Sequence, residues 1–103
     1  MSNYTLSNFR HLASSSIEDL KKISFPDVDV LIQLEDIRVR LTNIEKAIAL
    51  KTSELLKTAL ILKDANGELL KLETQVIGFD GKSVNTKSGL KVPIVCVYSI
   101  DFY

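Results

Sequence analysis

The chain has 103 residues, of which 46% are hydrophobic and 25% charged, a length that suits one small globular domain or two very small modules. It is too short for a barrel enzyme or a two-domain dinucleotide fold. Thirteen Lys and Arg balance thirteen Asp and Glu, so there is no overall field to draw in a polyanion or a membrane surface. Leu, Ile, Val and Phe make up 37 residues, enough to drive folding. The lone cysteine, Cys96, excludes an internal disulfide and fits a reducing compartment. With no signal-peptide pattern and no long apolar run, the expected location is cytoplasmic or virion-associated, with no membrane partner.

Residues 1–15 are rich in Ser and Asn and read as a flexible N-terminal arm. Ser16 then caps a short helix, with Asp19 three positions on and Ile17, Leu20 and Ile23 on one face. It ends before Phe25-Pro26. A second helix is expected from about Asp27 to Lys57, roughly 45 Å long at ~1.5 Å per residue. Along it Val30, Leu34, Ile37, Leu41, Ile44, Ile48, Lys51 and Leu55 recur at alternating steps of four and three. That phase is a heptad seam with Leu34, Leu41, Ile48 and Leu55 at a and Val30, Ile37, Ile44 and Lys51 at d. Arg40 at g and Glu45 at e would attract one another across a parallel pair. Leu at a with Ile at d makes a trimer or tetramer as reasonable as a dimer. The alternative use of the same stripe is a helix lying on a sheet. Val28, Ile32 and Val39 form a partial back face onto which the short helix could fold.

Beyond Lys57 the period shortens to two. Thr58 to Lys63 reads as a strand, Asp64 to Gly67 as a turn and Glu68 to Phe79 as a second strand. Asp80-Gly81 is another hairpin turn, Lys82 to Thr86 a short strand, and Lys87-Ser88-Gly89 a third turn. Leu90, Val92, Ile94, Cys96, Tyr98, Ile100 and Phe102 then alternate along a last strand, which Pro93 should bulge or confine to an edge. The expected fold is α+β: a short helix, a long coiled-coil-like helix, and an antiparallel meander of about four strands. Residues 16–57 form the helical oligomerisation region and 58–103 the β module.

Chemistry is sparse. Gly78 to Ser83 ends in the Gly-Lys-Ser of a phosphate-binding loop, but Val76 stands where its first glycine is needed, and a strand rather than a helix follows. His11 is the only histidine, and Cys96 sits on the inward face of its strand, where an inert thiol is expected. Neither a zinc site nor a catalytic set can be assembled, so no cofactor, no metal and no enzymatic activity are expected. The basic pairs Lys21-Lys22 and Arg38-Arg40 lie among acidic residues, which argues against nucleic acid as a partner.

Two functions follow. The first is a homo-oligomeric structural or interaction protein that assembles through the seam and presents the β module to a protein partner. The second is a small regulator or inhibitor that binds a cellular protein or a small anionic ligand between subunits, with Gly81, Lys82, Ser83 and Lys87 as contacts. Tyr98 and Tyr103 are further candidate contacts at the C-terminal end. An arm, a helical stalk and a compact β head are together similar in outline to small phage and viral accessory or structural proteins, in architecture and not in motif.

Overall fold

A computed structural model describes residue 9 and residues 11–52 and 56–103. Helix α1 covers Ile17–Leu20, and the Ser16 hydroxyl accepts the Asp19 amide at 3.1 Å, the cap expected from sequence. Helix α2 covers Leu34–Ala49. Six strands follow: β1 (Thr58–Lys63), β2 (Leu69–Glu73), β3 (Val76–Phe79), β4 (Ser83–Thr86), β5 (Lys91–Pro93) and β6 (Val97–Phe102). They make two antiparallel sheets of three strands, ordered β2-β1-β6 and β3-β4-β5.

The fold is α+β, as the sequence implies, with two corrections. The four-stranded meander is replaced by six strands in two sheets, because the expected strand from Glu68 to Phe79 changes sheet midway. The Thr74 amide still donates to Thr58 in the first sheet, whereas the Gln75 carbonyl accepts Lys87 from the second. A strand that bends from one sheet into another forms a corner of a packed pair of sheets. The final run is also broken: Ile94–Cys96 form a 3-10 turn entered from Pro93, whose φ of −58° suits a helical start. β5, which ends at Pro93, is an edge strand, where a missing amide is tolerated. The turn and a register shift opposite Ile61/Leu62 undo the strict alternation. Val97 is therefore fully buried and Tyr98 only half-buried.

The second correction concerns the long helix. It spans 16 residues, about 24 Å at ~1.5 Å per residue, and starts seven residues later than expected. Residues 27–33 are instead held off the helix by hydrogen bonds: the Val30 amide donates to the Val95 carbonyl at 2.9 Å, and the Leu31 amide to Asp29 Oδ1 at 2.9 Å. Asp29 is in turn gripped by Arg40, with two nitrogen–oxygen distances of 2.7 and 2.6 Å, while Arg40 also donates to the Val97 carbonyl at 3.1 Å. One guanidinium thus joins the pre-helical segment, α2 and β6. At its far end α2 closes at Leu50, and Thr52 is a weak helix former.

A single core unites helices and sheets. Leu20 of α1 and Ile44 and Ala47 of α2 pack in one cluster with Leu60, Leu62, Val76, Val84, Val92, Cys96 and Val97. α1 therefore does not fold onto Val28, Ile32 and Val39, all of which are exposed. Linkers reinforce the arrangement: the Ala65 amide donates to Ser24, and the Ser15 amide to Lys71 on the edge strand β2.

Arg40 is only 5% exposed and Asp29 28%. Asp29→Asn leaves the guanidinium buried without a counter-charge and should cost about 3–5 kcal/mol in urea unfolding. Arg40→Met should cost less, because the carboxylate left behind can hydrate. The hydrogen bond from Arg40, aided by the Leu31 amide and the nearby positive charge, outweighs burial and holds the Asp29 carboxyl below its ordinary 3.8. Its contribution to stability is present above that value and lost as pH falls through the lower folded one. Acid titrations of wild type and Asp29→Asn should therefore converge once the pH lies below that lowered value. Ile44→Ala should cost about 2–5 kcal/mol by opening the shared core.

Candidate functional site

The seam residues do not share one environment. Val30 precedes α2 and is half-buried, Ile44 is completely buried within its own chain, and Ile37 and Ile48 are half-buried, Ile48 against the same core. Lys51 lies beyond the helix and is exposed, and Leu55 falls outside the described residues. Leu34 and Leu41, by contrast, are 62% and 45% exposed. Arg40 is bound to Asp29 rather than available to Glu45, which is exposed. The buried stripe of α2 is Arg40, Ile44 and Ala47, so the helix lies on its own sheets, and an exposed edge remains beside it.

That edge carries Leu34, Arg38, Leu41 and Glu45 at steps of four, three and four, all exposed. Such spacing puts them on one side of a helix. The preceding extended segment adds Val28, 75% exposed, and Ile32, 90% exposed. Arg38 was visible in the sequence only as half of a basic pair, and the role of Asp29 was not visible. The available signal was Arg40 itself: it lies four residues before Ile44 on the apolar side, where a charge requires a partner.

The turn residues have local roles. Asp80 Oδ1 accepts the amides of Lys82 and Ser83 at 2.9 and 2.7 Å, and Asp80 Oδ2 pairs with Lys91 at 3.1 Å. Those two backbone bonds, followed by Lys91, draw the Asp80 carboxyl down to about 2. Gly81 takes φ +93°, a conformation suited to glycine at a hairpin turn. The amides that an anion would need are thus already engaged by a carboxylate of the same turn. Lys87 is exposed in the next turn, where its amide donates to Gln75.

The C-terminal aromatic rings are each covered by a lysine. Lys63 Nζ lies 4.8 Å from the Tyr98 ring centre, Lys46 Nζ 4.5 Å from Phe102 and Lys71 Nζ 5.6 Å from Tyr103. Phe9 meets Tyr98 edge-on at 6.2 Å. The Tyr103 hydroxyl donates to Glu73, which also accepts from Ser14. Cation–π contacts of this kind contribute about 0.5–1 kcal/mol each at exposed sites, and they leave these rings partnered rather than bare. Two open grooves flank them. One, of about 250 Å³, lies between α2 and β6 over Leu31, Val39 and Tyr98; the other, of about 550 Å³, lies beside Thr58, Gln75 and Tyr103.

Cys96 is fully buried, its thiol donates to the Pro93 carbonyl at 3.1 Å, and burial pushes it up to about 12. His11 is exposed and forms no pair with it. Among the described residues no cluster of His, Cys, Asp and Glu could hold a metal ion, and no helix is long and apolar enough to cross a membrane. No protein-family model, curated protein or solved structure matches the chain. A thiol-reactive dye should leave Cys96 unlabelled at pH 8 in the native protein and label one thiol per chain in guanidinium.

Proposed function

We propose that the protein is a small homo-oligomeric interaction protein, which self-associates through the outer edge of its helical segment and presents the β module to a protein partner. One observation carries the reading: four large apolar side chains, Val28 and Ile32 ahead of α2 and Leu34 and Leu41 on its outer edge, remain exposed, while the exposed Val39 lies on the other side of the helix beside the groove toward β6. An accumulation of this kind marks an interaction surface more often than a solvated one. In the β module the exposed large apolar residues are fewer, Ile77 at 45% and Tyr103 at 42%, and the aromatic rings lie under lysines. The surface is not the seam read from the sequence, whose Ile44 is already buried in the chain. It is the part of that seam, Leu34 and Leu41, that the sheets leave uncovered. The small-anion alternative draws no support from the Gly81 turn, whose amides bind Asp80. The outline likeness to phage and viral proteins rested on a separate stalk and plays no part in the proposal.

Light scattering should return a multiple of the 11.5 kDa chain mass. The double variant Leu34→Asp with Leu41→Asp should be monomeric, with native circular dichroism and a little-changed melting temperature, because both residues lie outside the core. Ile44→Asp should instead unfold the chain. A wild type that stays monomeric up to about 100 μM, where a dimer with a Kd of about 1 μM (about −8 kcal/mol) would be largely assembled, would overturn the proposal.

A further inference from the structure

The exposed edge of α2 has a charge pattern that selects its occupant. Arg38 lies three residues before Leu41 and Glu45 four residues after it, all on one side of the helix. Both charged residues are exposed, and among the described residues neither makes an ion pair with another. If two such helices cross antiparallel about a twofold axis midway between residues 41 and 42, each residue meets the one equally far along on the other side. Arg38 of each copy then faces Glu45 of its partner copy, Leu41 packs beside its own equivalent, and Leu34 reaches the small Ala49 near the partner's helix end. A twofold contact repeats every pairing, so a single Arg38–Glu45 match supplies two. A parallel pair with the Arg40–Glu45 match read from the sequence would need Arg40 at the interface, and Arg40 is held by Asp29 inside the chain.

We infer that the occupant of the α2 edge is a second copy of this chain, docked antiparallel with reciprocal Arg38–Glu45 pairs around Leu41. The inference rests on the self-association proposed above and specifies its geometry. Ile32, 90% exposed and two residues before Leu34, adds apolar surface at each end of the contact, where a helix pair alone would fall short of the ~1,200 Å² of a stable interface.

Charge exchange tests the pairing without touching the core. Sedimentation equilibrium should show a dimer for wild type. Arg38→Glu and Glu45→Arg alone each replace two attractive contacts by two repulsive ones and should weaken it by about tenfold or more. The double exchange, R38E with E45R, should restore dimerisation. An equimolar mixture of the two single variants should also restore it, as a heterodimer, because every facing pair is then opposite in charge. Circular dichroism of all variants should match wild type. A wild-type dimer whose affinity is indifferent to the single exchanges, or is not restored by the double exchange and the mixture, overturns the antiparallel pairing while self-association stands. A monomeric wild type overturns both.

Discussion

The Asp29–Arg40 ion pair is the constraint on which the placement of the helical half depends. A guanidinium that is 5% exposed cannot be left without acceptors, since an unpaired charge at that depth costs several kcal/mol. Its bonds to both Asp29 oxygens and to the Val97 carbonyl meet that demand and bring three segments together. With Asp29 drawn to Arg40, residues 27–33 lie along Val95 instead of extending the helix. The start of α2 at Leu34 is thus a consequence of where Arg40 finds its partner.

The same pair sets the rotation of α2 on the sheets. Arg40, Ile44 and Ala47 face inward, so the buried stripe is centred away from Leu34 and Leu41. The apolar surface of the helix exceeds what two small three-stranded sheets can cover, and the excess falls on one edge together with Arg38 and Glu45. In the β module Asp80 takes the amides of its turn and lysines cover the rings of Tyr98, Phe102 and Tyr103, while Ile77 and Tyr103 stay 45% and 42% exposed. This asymmetry between an exposed apolar helical edge and a better-covered β module is why we propose the helical side as the interaction surface. It could not be read from composition, because both halves contain similar fractions of apolar and charged residues.

Several elements were legible in the sequence because short-range chemistry decides them. The Ser16 cap and Asp19 define α1 within a few residues, β1 runs over Thr58–Lys63 as its composition implies, and Asp80-Gly81 turns where a glycine permits positive φ. The break at Thr74-Gln75 was not legible, since each residue of Leu69–Phe79 is compatible with a strand and only the two neighbouring strands, β1 and β4, divide the run between sheets. Nor was the 3-10 turn at Ile94–Cys96, where an alternating apolar pattern masked a change of direction that begins at Pro93.

By itself the sequence determined the α+β class, the local starts and turns, the inert buried cysteine and the steps of three and four that make α2 amphipathic. Only the tertiary structure decided what that amphipathic face packs against. Helix-on-helix and helix-on-sheet packing require the same periodicity, so the spacing of Leu34, Leu41, Ile44 and Ile48 cannot distinguish them. The partner of a buried charge can. Arg40 finds Asp29 and Val97 within its own chain, and that bond assigns Ile44 to the core and leaves Leu34 and Leu41 outside it.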